Sequence, residues 1–153
     1  MGRWLAIDHG TKRIGIAVGS TADGVATPLA VIPAEPPSAV AERIGQLASD
    51  YGAEGIVVGW PLNMDDTEGP QGKLARRMAS RLAEAVDTDV RLWDERLSSF
   101  AADQALAGAF TRKQKRARQD AVAAAAILRD FLAADGPRAA PRPGEVGQGE
   151  PDR

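Results

Sequence analysis

The chain has 153 residues, 44% of them hydrophobic and only 5% aromatic, with 19 Lys and Arg against 21 Asp and Glu for a formal charge of -2. It holds no cysteine and one histidine, which excludes disulfides, thiol nucleophiles and cysteine-ligated zinc. The charge balance also excludes the strongly basic class of nucleic-acid-binding protein, leaving room only for a local basic patch.

The length fits one domain, since domains run to about 100–200 residues. Its core must be built mainly from Ala, Val, Ile and Leu. No stretch approaches the roughly 18 apolar residues of a membrane span; the run Ala121 to Leu128 is too short. The opening Met1-Gly2-Arg3-Trp4-Leu5 enters a hydrophobic strand without the shape of a signal peptide. By elimination, the expectation is a soluble cytoplasmic protein.

Two apolar, β-branched runs, Trp4 to Asp8 and Arg13 to Gly19, flank Gly10-Thr11-Lys12, the pattern of a β-hairpin. Thr27 to Ile32 reads as a third strand, and Pro28 confines it to an edge or an early strand position. Ser38 to Tyr51 has Val40, Ile44, Leu47 and Ala48 at helical spacing, with Ser38 as N-cap and Gly52 as stop. Gly55 to Gly59 is a short apolar strand of the buried parallel type. Gln71 to Val86 is helical, with Leu74, Met78, Leu82 and Ala85 on one face. Asp89 to Trp93 is a fifth strand, and Ser98 to Ala107 and Gln114 to Ala134 are helices. The order β-β-β-α-β-α-β-α-α implies an α/β fold with a mixed five-stranded sheet, a three-strand meander followed by β-α units, flanked by helices. From Gly136 the composition turns to Pro, Gly, Ala and charge. Residues 1–135 are therefore expected as the domain and 136–153 as a disordered tail.

Three acids stand at element ends: Asp8 after the first strand, Glu95 after the fifth, and Asp120 in the last helix. Positions i+3, i+4, i+7 and i+11 from Asp120 are Ala123, Ala124, Ile127 and Phe131, so Asp120 heads a buried stripe. If the first and fifth strands run the same way, Asp8 and Glu95 end at one sheet edge, where the sites of α/β sheets gather. Like charges at ~4 Å repel by about 4 kcal/mol even at an effective dielectric of 20. Raised pKa values or bound cations must offset that. With no cysteine, and with His9 in a turn and expected to face solvent, the ligands are all oxygen, which suits Mg²⁺ or Mn²⁺. Each acid also has an ordinary reading: Asp8 as a turn former, Asp120 as an acid favoured at a helix start, Glu95 as one more solvated surface carboxylate.

Four blocks, "LAIDHGTKRIGIAVG", "GIVVGWPLNMDDTEGPQ", "LWDERLSS" and "KRARQDAVAAAAIL", resemble in order and spacing those of the YqgF family, also called RuvX. The resemblance covers about Trp4 to Leu132, and its second and third blocks are the specific ones. It implies a ribonuclease H-like nuclease domain. The family is described as Holliday junction resolvase-like and as the nuclease that matures the 5′ end of pre-16S ribosomal RNA. Carried over residue by residue, the acidic triad is Asp8, Glu95 and Asp120, holding two Mg²⁺ ions for phosphodiester hydrolysis, with Asp8 bridging them. The chain departs from the pattern at His9, at Ser99 where Thr is usual, and in Ala117-Arg118-Gln119 before Asp120, where a glycine is common. None of these touches the triad.

The basic run Arg112, Lys113, Lys115, Arg116 and Arg118 just before Asp120 is placed to hold flanking phosphates, and equally reads as a solvated helix start. Lys12, Arg13 and Arg96 are further nucleic-acid candidates. Gly59 to Pro70 forms a polar loop, a candidate wall of the substrate groove, with Asn63 as a hydrogen-bonding residue and Asp65 or Asp66 as loop caps. Trp60 and Trp93 are expected to pack rather than to stack on bases. Two rivals stand beside the nuclease: an actin-like ATPase module, which would need a second domain, and a non-catalytic nucleic-acid-binding module. Precursor ribosomal RNA and branched DNA remain alternative partners, and a monomer or a homodimer is open, since junction cleavage calls for two symmetric sites.

Overall fold

The computed structural model describes residues 2–97 and 112–146, with side chains described for 2–96 and 121–146. The expected helix at Ser98 to Ala107 lies outside these residues. Strands β1 (Arg3–His9), β2 (Arg13–Ser20), β3 (Ala26–Pro33), β4 (Ala53–Trp60) and β5 (Asp89–Asp94) form one sheet in the order β3-β2-β1-β4-β5. Helices α1 (Pro37–Asp50), α2 (Pro70–Ala85) and α3 (Arg112–Ala133) cover its two faces. The mixed five-stranded sheet expected from the element order is present.

The meander is antiparallel, whereas β4 pairs parallel with both β1 and β5. The hairpin between β1 and β2 closes on Gly10, whose N–H donates to the Arg13 carbonyl at 2.9 Å. A Cβ at position 10 would meet that oxygen at 2.6 Å, so only glycine fits. β3 is an edge strand, as Pro28 requires. The register against β2 slips between Ile16 and Ala17, where Pro28 stands opposite Ala17, because proline offers no N–H to the ladder.

Alternation of side chains along the strands splits the core in two. Leu5, Ile7, Ile56, Val58 and Leu92 face α1 and α2, against Val40, Ile44, Met78 and Leu82. Trp4, Ala6, Val57 and Trp93 face α3, against Ala124, Ile127, Leu128 and Phe131. The stripe headed by Asp120 is buried as its spacing implies: Ala123, Ala124, Ile127 and Phe131 are all 5% exposed or less. Its alanines let α3 lie close over β1, β2 and β3.

Two helix details differ from the sequence pattern. α1 starts at Pro37 with no side-chain cap, so Ser38 is not the N-cap; Pro already has the φ of a first helical residue. Its stop is at Gly52, which takes φ +61 and donates to the Ser49 carbonyl. On α2 the buried face is Ala75, Met78, Ala79 and Leu82, together with Arg76, while Leu74 is 42% exposed. The face is rotated because it buries small residues against α1 and a cation against the preceding loop, not the largest apolar side chains.

Residues 136–146, expected as a disordered tail, are ordered. After the short helix α4 (Gly136–Ala139), the Leu92 N–H donates to the Pro141 carbonyl at 2.8 Å and the Arg91 guanidinium to the Ala140 carbonyl at 2.6 Å. Arg142 reaches Asp89 at 3.0 Å, and Val146 packs on the α1–α2 core. The outer side of β5 has backbone groups with no strand partner, and this segment covers them. Composition does not register such a demand. Residues 147–153 lie outside the described ones. No helix among the described residues is long and apolar enough to cross a membrane.

Phe131 joins these parts. It is fully buried, its ring centroid 4.9 Å from that of Trp4 and 5.9 Å from that of Trp93, and it packs on Gly136. Phe131→Ala is expected to lower the unfolding free energy by about 3–5 kcal/mol. Urea denaturation followed by tryptophan fluorescence measures it; a loss under 1 kcal/mol, roughly the scale of a surface substitution, would mean the second core is not organised around this ring.

Candidate active site

Because β1, β4 and β5 are parallel, their C-terminal ends share one edge of the sheet. Asp8 lies on β1, two residues beyond the α3-facing Ala6, and so shares that face. Gly59 lies on β4 two residues beyond Val57, opposite Trp93, on the same face. Glu95 opens a 3₁₀ turn directly after β5. A Cβ at Gly59 would come within 2.7 Å of Ile127 Cδ1 and 3.1 Å of Glu95 Cδ. The Glu95 side chain therefore reaches back across the bare glycine toward β1, under the cover of α3.

Electrostatics records that arrangement. The Glu95 carboxyl is raised from its ordinary 4.5 to about 8, first by burial, then by the negative charges of Asp8 and of Asp94. Asp8 and Glu95 thus form the pair expected from the strand ends. Among the described side chains no three metal-ligand types gather. Asp120, the third expected acid, belongs to the backbone of α3, but its side chain lies outside the described residues, as do those of Lys113, Lys115 and Arg116. Asp120 precedes Ile127 by two helical turns, about 10 Å along the axis, and Ile127 is the residue that touches Gly59.

The loop after β4 forms a wall beside this edge. Asp66, at φ 70, donates its N–H to the Asn63 carbonyl at 2.9 Å, and Asp65 accepts from both the N–H and the hydroxyl of Thr67. The hydrogen bonds from Thr67 hold Asp65 below its ordinary range. Asp65 and Asp66 do shape the loop. The Asn63 side-chain amide donates to Thr67 Oγ1 at 2.9 Å, a bond within an exposed part of the loop. Glu68, its side chain 7% exposed, receives Arg76 Nε at 2.9 Å and Trp60 Nε1 at 2.8 Å. Burial pushes its carboxyl up, but these hydrogen bonds prevail and hold it below 4.5. Trp60 and Trp93 both pack, as expected.

Arg96 also differs from expectation. Its Nε and Nη2 bind Asp94 at 3.0 and 2.7 Å, Nη2 meets Asp66 at 2.9 Å, and Nη1 donates to the Asn63 carbonyl at 2.8 Å. Hydrogen bonds from Arg96 hold Asp94 below its ordinary 3.8. Its guanidinium is engaged by these partners at the surface. Lys12 is exposed on the hairpin and Arg13 half-buried beside it. His9 is not a solvent-facing turn residue: it ends β1, half-buried, with Nδ1 lacking a hydrogen-bond partner among the described residues. Burial lowers its pKa below 6.5, so it is neutral at pH 7. The sequence reading passed over Gly59 and Asp94. The signal for Gly59 was a glycine closing an apolar strand, at a place where a side chain would cost nothing unless something lay over it.

The model of the RuvX family, described as Holliday junction resolvase, matches residues 2–134. The chain belongs to this family. A RuvX relative from Geobacillus thermodenitrificans, bearing the name "Putative pre-16S rRNA nuclease", is 42% identical over 135 residues, covering 85% of this chain and 96% of that protein. One of the same name from an Anaeromyxobacter species is 46% identical with the same coverage. Among solved structures, Thermus thermophilus RuvC in complex with Holliday junction substrate aligns with a TM-score of 0.59 at 14% identity, over 92% of this chain and 99% of that one. That likeness shows a shared fold, of the ribonuclease H-like kind that the RuvX resemblance implied.

Two outcomes follow from the crowding at Gly59. Gly59→Ala is expected to cost about 1–3 kcal/mol by overpacking, and Ile127→Val in the same chain, which removes Cδ1, recovers part of it; urea denaturation of the single and double variants measures both. For Glu95, a folded pKa of about 8 above an ordinary 4.5 means the folded chain binds more protons than the unfolded chain between those values. Stability at this site is fully present below pH 4.5 and is lost as pH rises through about 8. In chelator, thermal melting across that window should show Glu95→Gln gaining on the parent as pH rises. A constant difference would remove the buried, repelled carboxyl from the account.

Proposed function

We propose that this RuvX protein is a divalent-metal-dependent nuclease that hydrolyses phosphodiester bonds in structured nucleic acid, and that its substrate is the 5′ end of precursor 16S ribosomal RNA in the cytoplasm. One observation carries the reading: at the end of parallel strands Glu95 lies over Gly59 within range of Asp8, and its carboxyl stands near 8 because it is buried and repelled by Asp8 and Asp94. A divalent cation offsets that repulsion and favours the ionised Glu95 carboxylate that binds it. The donor set is carboxylate oxygen, which suits Mg²⁺ or Mn²⁺.

Asp8, Glu95 and Asp120 are the residues assigned to hold the metal. When bound, it supplies a water nucleophile at neutral pH and charge for the phosphate oxygens. The chain supplies position. Asp8 stands on a strand hydrogen-bonded on both sides, Glu95 is held over a glycine, and the alanine face of α3 keeps the layer shut behind them. Lys12 and Arg13 in the adjoining hairpin, and Lys113, Lys115 and Arg116 upstream of Asp120, are assigned to flanking phosphates. His9, neutral and half-buried, is given no catalytic part.

The ribosomal substrate is favoured by the name that relatives at 42 to 46% identity carry. A second reading, resolution of four-way DNA junctions, is favoured by the family description. It calls for two symmetric sites and hence a dimer, whereas trimming an RNA end is complete in a monomer. The deciding experiment incubates the protein with Mg²⁺ and, side by side, precursor ribosomal RNA and a four-way junction, with Asp8→Asn as control. Cutting of the RNA alone is expected, reduced at least about 100-fold in the folded Asp8→Asn protein. Cutting of the junction alone reverses the substrate; undiminished cutting by Asp8→Asn removes the assigned site.

A further inference from the structure

Arg96 follows the metal-site carboxylate Glu95 directly, and every nitrogen of its guanidinium has a partner in the protein, at the surface. Nε donates to both oxygens of Asp94, at 3.0 and 3.1 Å, and Nη2 to Asp94 Oδ2 at 2.7 Å. The same Nη2 pairs with Asp66 at 2.9 Å, and Nη1 donates to the Asn63 carbonyl at 2.8 Å. The Arg96 N–H returns to Asp94 Oδ1 at 2.9 Å. Asp94 belongs to β5; Asn63 and Asp66 belong to the loop 61–69. One planar fork thus ties the strand end that carries Glu95 to the wall that rises beside it. The far end of that loop is tied separately, by Glu68 to Arg76 on α2 and to Trp60 on β4.

The chemistry at this place needs a fork. A guanidinium presents its donors in a fixed plane and binds a carboxylate bidentately, while an ammonium is a point charge that satisfies one such group at a time. Three acceptors from two segments are met at once only by the fork. A second consequence is electrostatic. Asp94 is one of the two acids that repel Glu95. Arg96 pairs with that acid and so partly compensates its charge beside the site.

Resting on the nuclease reading above, we propose that Arg96 is a positioning residue. It locks the loop 61–69 to the end of β5, so that the groove wall and the metal-holding Glu95 form one rigid unit. It is not a contact to the nucleic acid.

The test compares full-length Arg96→Lys and Arg96→Gln with the parent. Hydrogen exchange at the Asp66 amide, which bonds to the Asn63 carbonyl, is expected to quicken about tenfold in both variants as the wall opens locally. The kcat on the RNA that the parent cuts, and the affinity for Mg²⁺ alone by calorimetry, are expected to fall about 10- to 100-fold, the cost typical of removing support behind a metal ligand. KM and the salt dependence of RNA binding in chelator stay at the parent values. Lysine, which keeps the charge, does not rescue. Arg96→Lys behaving as the parent while Arg96→Gln lowers the salt slope by about one would make Arg96 a phosphate contact and overturn the proposal. So would parental exchange at Asp66 in both variants. If the parent cuts neither substrate the nuclease reading fails, and the exchange measurement alone still decides whether the clamp exists.

Discussion

Asp8 and Glu95 bring two carboxyl groups within repelling range at the ends of parallel strands, beside a residue with no side chain and on the face that α3 covers. In that setting each charge raises the cost of the other, and burial raises it further, which is why the Glu95 carboxyl stands near 8. An arrangement that unfavourable persists only if the elements bearing the two acids cannot move apart. Both faces of the sheet provide for this. Leu5, Ile7, Ile56 and Val58 on one side and Ala6, Val57 and Phe131 on the other are fully buried, and they clamp β1 and β4 from above and below. Asp8 sits near the end of the central strand β1, and Glu95 directly after the edge strand β5 that pairs with β4.

At both ends of β5 and in the loop beside it, arginine does structural work. Arg76 is buried against Glu68, Arg96 joins Asp94 to the loop, and Arg91 and Arg142 converge on Asp89. A buried ion pair of the Arg76–Glu68 kind adds little net stability compared with apolar packing, because both ions lose their hydration. It does make the alternatives poor, since either ion left alone in that place is costly. Such pairs fix where a polar loop goes when the loop has few apolar side chains of its own. The segment 61–69, with Met64 at 88% exposure, is a loop of that description.

The segment 136–146 serves the other end of the same strand. β5 is the last strand of the sheet, and its outer side would otherwise present bare N–H and C=O groups. Pro141 and Ala140 answer two donors there, and Arg142 ties the segment to Asp89. The family model ends at residue 134, so this cover lies just beyond the part of the chain that matches it. Its effect is to secure, along its whole length, the strand whose end leads into Glu95.

The element order, the parallel sense implied by β-α units, the edge position of β3 and the buried stripe Ala123, Ala124, Ile127 and Phe131 were all legible in the sequence. Each depends on local periodicity or on the chemistry of one residue, such as the missing N–H of Pro28. That Asp8 and Glu95 end at one sheet edge was legible only on the condition that β1 and β5 run the same way, which the sheet supplies. What local patterns could not hold were facts about partners distant along the chain. The engagement of Arg96 depends on Asn63 and Asp66, thirty or more residues away; the need for Gly59 depends on Glu95 and Ile127; the order of residues 136–146 depends on an uncovered edge of β5. Periodicity reports which face of an element is buried, but only tertiary packing decides what lies against it, because a charge or a glycine has no preference of its own until a neighbour is in place.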